Sequence, residues 1–260
     1  MKERIDILLV ERRLVESRTK AQWLIRNGFV IVNGIKITKP GKKVDNSYEI
    51  QLTRKFPYVG RGGLKLEAAL NKFSISVDDK ICVDIGASVG GFTDCMMQHG
   101  AKKVYAIDIA IDRLHPSLIC EKMHDKVIPL LGVDARQIIP IDERIDICTI
   151  DVTFSSLKEI LPNVRNLLKV DADVITLVKP FFERSIESID FDSDLKSSSF
   201  HYNILVDLIA WCIQNQFYPK GLIKSPLLDF ESSIEFLLHL CVNDKRRSFK
   251  VEDLVNQALD

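Results

Sequence analysis

The stretch Ile81-Cys82-Val83-Asp84-Ile85-Gly86-Ala87-Ser88-Val89-Gly90-Gly91-Phe92-Thr93-Asp94 decides the fold of this chain. An apolar run with β-branched residues reads as a buried strand over 81–85. It ends in a loop of small residues, and a helix is expected over 91–99. Small residues let the backbone approach a ligand, and the helix N-terminus that follows faces the same space. The loop is not a phosphate loop, because no Gly-Lys-Ser/Thr follows. Gly86 and Gly90 also have the wrong spacing for a dinucleotide fingerprint. Asp84, at the strand end, would repel a pyrophosphate and attract a cation.

Outward from this loop, short β-rich runs alternate with helical stretches. Strands are expected at 81–85, 103–107, 127–131, 145–150 and 174–178, and a further helix at 155–168. That alternation predicts an open, mainly parallel α/β sheet, with ligands bound outside the carboxyl ends of its strands. The second strand ends in Tyr105-Ala106-Ile107-Asp108. A carboxylate about 20 residues past the loop suits both hydroxyls of a ribose. A ligand with a ribose, no phosphate and a positive charge fits S-adenosylmethionine. Gly86, Ala87, Ser88, Gly90, Gly91, Phe92, Thr93, Asp84 and Asp108 form the expected pocket. After the third strand, Asp134 is placed either to accept from an adenine amino group or to cap a helix before Ala135. Asp151 follows the fourth strand and Lys179 the fifth. A lysine ending an apolar strand needs its charge matched. Lys65 sits on a helix leading into the sheet, and Glu235 on a late β-type run over 234–240.

The chain has 260 residues, 46% hydrophobic and 28% charged, enough for a real core and one large or two smaller domains. Its net charge of zero conceals an asymmetry. Residues 1–60 hold 13 Lys and Arg against 6 Asp and Glu, and the remainder 23 against 30. A basic piece on an acidic body suggests a polyanion-binding module. No apolar run reaches the roughly 18–20 residues of a membrane span, and the start lacks the pattern of a signal peptide. Six scattered cysteines without C-x-x-C spacing read as buried thiols of a reducing cytoplasm.

In the basic piece, helices are expected over 5–14 and from a Ser17 cap to Arg26, with Ala21, Leu24 and Ile25 on one face. Asn27-Gly28 stops the second helix. Phe29-Val30-Ile31-Val32 and Ile35-Lys36-Ile37, split by Asn33-Gly34, predict a β-hairpin, and Tyr48–Leu52 a further strand. Ser17-Arg18, Ala21, Gly28, Val30, Val32-Asn33-Gly34 and Lys39-Pro40 resemble the S4 RNA-binding domain. That resemblance implies RNA contact by Arg12, Arg13, Arg18, Lys20, Lys36, Lys39, Lys42 and Lys43, and Arg61 at the start of the second domain joins them.

The whole chain resembles the TlyA family, an S4 domain followed by an FtsJ-like methyltransferase domain. The residues carrying this are Gly60-Arg61-Gly62-Gly63-Leu64-Lys65-Leu66, Asp84 to Cys95, Asp151-x-x-Phe154-x-Ser156-Leu157, and Leu177-Val178-Lys179-Pro180-x-Phe182-Glu183. The resemblance implies a Rossmann-like methyltransferase domain with a small α+β RNA-binding domain before it. Boundaries are expected at 1–52, a linker at 53–60, and 61–260. It further implies S-adenosylmethionine-dependent 2′-O-methylation of ribosomal RNA cytidines in the cytoplasm, without a metal. The catalytic set of the family lands on Lys65, Asp151, Lys179 and Glu235. Some members carry a haemolysin label, and a non-catalytic RNA-binding or ribosome-assembly protein is the alternative reading. The chain departs from the family at Ile111-Asp112-Arg113, at 184–192, at Ser232-Ser233 and in the tail from Lys245 to Lys250. The first three are loops expected to frame the RNA target, whereas the tail either touches RNA or, as the preferred reading, is a solvated turn before a last helix.

Overall fold

The computed structural model describes residues 2–137, 141–184, 197–227, 234–242 and 250–260. The chain divides into two compact units, Met1–Pro57 and Tyr58–Asp260. The division falls inside 53–60, and Tyr58 and Gly60 are buried in the second unit.

The first unit contains β1 (Lys2–Arg4), α1 (Ile5–Glu11), α2 (Arg18–Arg26), β2 (Val30–Val32), β3 (Ile35–Ile37), β4 (Lys43–Asp45) and β5 (Ile50–Leu52). Ser17 Oγ accepts from Lys20 N at 3.3 Å and starts α2. Asn33 and Gly34 take φ of 46° and 76°, the left-handed pair that a two-residue hairpin turn requires. β2 therefore pairs with β3, and β5 adds on its other side. Ile5, Leu9, Leu24, Ile25 and Val30 pack a small core between helices and sheet. β1 and β4 form a separate pair that sequence periodicity did not show, because three residues are too few to alternate.

Asp6 is buried beneath this core and is reached by Arg4 at 2.9 Å, Gln22 at 2.9 Å and Arg18 at 3.3 Å. Burial pushes its carboxyl up, but the hydrogen bonds from Arg4, Gln22 and Arg18 outweigh this and hold it well below the ordinary range. A depressed folded-state value makes this stabilisation present above the unfolded carboxyl value and lost as pH falls. Asp6→Ala is expected to destabilise this unit by about 1–3 kcal/mol at neutral pH. The difference from wild type should shrink in acid, which thermal unfolding at the two pH values measures.

The second unit runs α3 (Gly62–Phe73), β6 (Ile81–Ile85), α4 (Gly91–Gln98), β7 (Lys103–Asp108), β8 (Val127–Leu131), β9 (Ile145–Ile150), α5 (Leu157–Arg165), β10 (Leu168–Val178), α6 (Pro180–Glu183), α7 (Ser198–Gln214), β11 (Phe217–Lys224), β12 (Phe236–Val242) and α8 (Val251–Leu259). Seven strands lie in the order β11-β12-β10-β9-β6-β7-β8. The last five in that order are mutually parallel. β12 is antiparallel to both of its neighbours. The mainly parallel α/β sheet expected from the sequence is present, with all five expected parallel strands.

α1 ends at Glu11, short of the expected 14, and three elements of the second unit, α5, β10 and β11, also differ from expectation. The helix expected to reach residue 168 stops at Arg165, and β10 already starts at Leu168. Its first half carries a register shift against β9 between Leu168 and Asp173, with Val170 and Asp171 both exposed. That breaks the alternation that would mark a strand. β11 contains Pro219 and Gly221, which disguise it; it is an edge strand, where proline is tolerated. Five cysteines are buried thiols as expected, whereas Cys120 is exposed. Among the described residues, no helix is long and apolar enough to cross a membrane.

Candidate active site

Because β6 to β10 are parallel, their carboxyl ends share one edge of the sheet. β12 runs the other way, so its beginning lies on that edge, with Phe236 opposite Val178. A loop following β6, another following β9, the end of β10 and the start of β12 are thereby brought together.

The glycine loop forms one wall. Gly86 has φ +81°, and a Cβ there would sit 2.2 Å from the Asp151 carbonyl oxygen. Only glycine allows these two strand ends to approach so closely. Ser88 N donates to Asp108 Oδ2 at 2.6 Å, and Ala110 N to Asp108 Oδ1 at 2.8 Å. Two backbone amides thus fix the plane of the Asp108 carboxylate, and each oxygen retains a lone pair. Gly86, Ser88, Asp108, Asp134, Asp151 and Phe154 contribute to the lining of a cavity of about 450 Å³.

The rest of the expected pocket residues are placed differently. Asp84 is fully buried and accepts from Thr93 N at 2.9 Å, Thr93 Oγ1 at 2.6 Å and Thr149 Oγ1 at 3.0 Å. Burial raises its carboxyl to about 6. It ties the start of α4 to the sheet and does not face a ligand, which corrects the cation-attracting role expected for it. Thr93 is used in the same bonds. Gly91 and Phe92 pack against the start of α3, where a Cβ on Gly91 would lie 3.1 Å from Gly63 N. Gly90 is closed over by Leu118, and Ala87 is buried beside Leu114 and Leu118. These residues shape the loop from behind. Asp134 Oδ1 accepts from Arg136 N at 2.9 Å, and the Arg136 guanidinium reaches its Oδ2 at 2.7 Å. That arrangement holds Asp134 at the cavity rim within a turn; no helix starts at Ala135 among the described residues, so the helix-capping role expected for it is not met.

The four residues of the expected catalytic set converge. Lys179 Nζ is 2.6 Å from Asp151 Oδ1, and it donates to Val152 O at 3.0 Å and Thr153 Oγ1 at 3.2 Å. Lys65 Nζ donates to Glu235 Oε2, with both groups buried. Burial pushes the Glu235 carboxyl up, and Lys65 pulls it down. Val178 pairs with Phe236, so Lys179 and Glu235, each next to that pair, bring the two ion pairs to one end of the β10–β12 ladder, where Asp151 raises and Lys179 lowers the same carboxyl. Glu183 Oε2 accepts from Ser156 Oγ at 2.6 Å and its Oε1 from Leu157 N at 2.8 Å. It caps α5 and so steadies the loop that carries Asp151 to Phe154.

The sequence matches the FtsJ-like methyltransferase family over residues 58–241. The chain belongs to that family. Residues 3–50 match the S4 domain. Among relatives, the YqxC protein of Bacillus subtilis is 42% identical over 92% of this chain and 85% of its own. A Mycobacterium tuberculosis protein named 16S/23S rRNA (cytidine-2′-O)-methyltransferase TlyA is 31% identical over 98% of this chain and 97% of its own. A solved Streptococcus thermophilus structure carrying a hemolysin name is 38% identical, covers 99% of this chain and 95% of its own, and has a TM-score of 0.72. The TlyA resemblance is thereby supported across both units.

In this FtsJ-like methyltransferase the basic residues of the S4 unit divide into two groups. Arg13, Lys36, Lys39, Lys42 and Lys43 are exposed. Lys20 is buried against Glu16 at 2.5 Å, so it secures α2 and departs from the expected RNA-facing role. Arg12 donates to the Tyr48 carbonyl at 2.8 Å and to that of Asn46, bracing the turn before β5. Arg18 remains exposed while bonded to Asp6. Arg61 is half-buried at the start of α3.

In the sequence Phe154 stands only as part of the Asp151-x-x-Phe154-x-Ser156-Leu157 motif, with no role of its own. It is 85% exposed, takes φ +69°, and its ring lies 5.4 Å from that of Phe182. A bulky residue held in the left-handed region beside an ion-pair site is a strained position of the kind found at functional sites. No periodicity could reveal it, because an isolated Phe normally reads as core. Of the family departures, Ile111 is exposed and Arg113 lines the cavity. Residues 185–192, Ser232-Ser233 and 245–249 lie outside the described residues.

Proposed function

We propose that this methyltransferase uses S-adenosylmethionine to methylate a ribose 2′-hydroxyl of a cytidine in ribosomal RNA, in the cytoplasm. The observation that carries this reading is the Lys179–Asp151 pair, 2.6 Å apart, at the edge of a cavity whose other wall presents Asp108. The cavity fits the cofactor: the Asp108 lone pairs suit a ribose diol, and the glycine loop has no phosphate-binding lysine. When bound, the cofactor supplies an electrophilic sulfonium methyl.

The chain's residues act on the acceptor. A 2′-hydroxyl is a weak nucleophile because its proton is held far above neutral pH. As an ammonium, Lys179 steers that hydroxyl and stabilises the charge developing on oxygen; to take the hydroxyl's proton it must first pass its own to the bonded Asp151 carboxylate. Asp108 and the glycine loop would hold the cofactor, which would supply its methyl to the 2′-oxygen and leave as a neutral thioether. Asp151 holds Lys179, while the Lys65–Glu235 pair fixes the floor beside it. Phe154 offers an exposed ring on which the target base can stack. The exposed lysines of the first unit bind phosphates, so affinity for RNA should fall steeply with salt.

Transfer of labelled methyl from S-adenosylmethionine to ribosomal RNA tests this reading directly; no incorporation into any ribosomal RNA substrate would oppose it. Asp108→Ala should weaken S-adenosylmethionine by about tenfold or more, since it removes charged hydrogen bonds to the ribose and frees Ser88 N. Calorimetry on the folded variant measures this, and unchanged affinity would reject the pocket.

A further inference from the structure

The Lys179 ammonium has three N–H bonds, and the RNA-free enzyme gives each a partner: Asp151 Oδ1, Val152 O and Thr153 Oγ1. An ammonium has no fourth donor. A target 2′-hydroxyl that reaches Lys179 must therefore displace one of them. The three are not equal. Asp151 is a charged partner at 2.6 Å, and Val152 O belongs to the backbone at 3.0 Å. Thr153 Oγ1 is neutral, stands farthest away at 3.2 Å, and belongs to an exposed side chain at the cavity wall. It is also the one of the three that is itself an aliphatic hydroxyl. Rotation about its Cα–Cβ bond withdraws it without moving the backbone.

We propose that the Thr153 hydroxyl occupies, in the RNA-free enzyme, the place on Lys179 that the target ribose 2′-hydroxyl takes on binding. Thr153 is thus a positioning residue acting through Lys179. The exchange replaces one hydroxyl by another, so the lysine never faces the cavity with an unmatched N–H. It also sets a threshold: RNA gains at this atom only the difference between the two hydrogen bonds. The charged groups around the lysine, Asp151 from the loop after β9, Glu235 before β12 and Lys65 on α3, are unaltered by the exchange. This inference rests on the 2′-hydroxyl reading of the site.

Thr153→Val keeps the β-branched shape and removes the hydroxyl. With the full chain, ribosomal RNA and S-adenosylmethionine, the variant should lower the KM for RNA by about three- to tenfold, the scale of one hydrogen bond. Its kcat should stay within about twofold of wild type. Thr153→Ala should do the same, and Thr153→Ser should behave as wild type. In a Lys179→Ala background, measured as RNA affinity by equilibrium binding, Thr153→Val should have no effect, because its partner is gone. An unchanged or raised KM in both the Val and Ala variants overturns the inference. So does a Ser variant that behaves like Val, or an affinity change that persists without Lys179. If wild type transfers methyl to RNA and these results fail, the Thr153 role alone falls. A wild type that transfers none overturns the reading of the site and this inference with it.

Discussion

Lys179→Ala is expected to lower methyl transfer by roughly 10²-fold or more, the usual scale for losing a positioned acid–base group. Cofactor affinity and folding should survive, because Lys179 bonds to Asp151, Val152 and Thr153 on one wall of the cavity, whereas Asp108 on the other is held by the Ser88 and Ala110 amides. Lys179→Arg should not restore activity if the amine takes the proton, since a guanidinium remains charged. Its planar fork also cannot reproduce three diverging bonds to a carboxylate, a carbonyl and a hydroxyl. Single-turnover rates for the two variants, beside calorimetric cofactor affinities, measure the effect. An arginine variant working at near wild-type rate would make Lys179 an electrostatic clamp and move the proton acceptor elsewhere.

The second large effect concerns stability. The Lys65 and Glu235 side chains are 10% and 2% exposed. Lys65→Ala leaves the Glu235 carboxylate buried without its cation, which is expected to cost about 3–5 kcal/mol at neutral pH. The penalty has a pH signature. Burial already raises Glu235 above its unfolded value, and Lys65 works against that rise. Without Lys65 the folded-state value climbs further. A carboxyl raised in the fold contributes its stability below the unfolded value and loses it as pH rises through the folded one. The deficit of the variant should therefore be smallest in acid and grow towards neutral pH. Denaturant unfolding across that range measures it; a deficit independent of pH would show that Glu235 does not carry the charge.

Much of this architecture is legible in the sequence because it rests on local signals. Asn33-Gly34 names its own turn through the left-handed conformation both residues need. The β6 loop and Asp108 follow from a strand, small residues and one acidic strand end. What stays hidden depends on pairing. Glu235 meets Lys65 only because β12 runs antiparallel to β10, and nothing in an apolar run of residues states its direction. Asp84 reads as a ligand group from its place at a strand end. Register sets it opposite Thr149, and the turn brings Thr93 onto it, so its bonding capacity is spent inside the fold. Lys20 is misread for a similar reason: it lies in a basic run, yet it is buried on α2 with Glu16, four residues earlier, as its ion-pair partner. Phe154 is legible only in three dimensions, where an exposed ring and an unusual φ coincide beside Lys179 and Asp151.

Mapping ribose methylation along ribosomal RNA tests the central claim most directly. Ribosomal RNA lacking the modification is treated with the protein and S-adenosylmethionine, in parallel with Lys179→Ala, and 2′-O-methyl positions are read nucleotide by nucleotide. The account predicts new 2′-O-methylcytidine in the wild-type reaction and its loss in the variant. Methyl groups found on bases, or ribose methylation that the variant produces equally well, would contradict it.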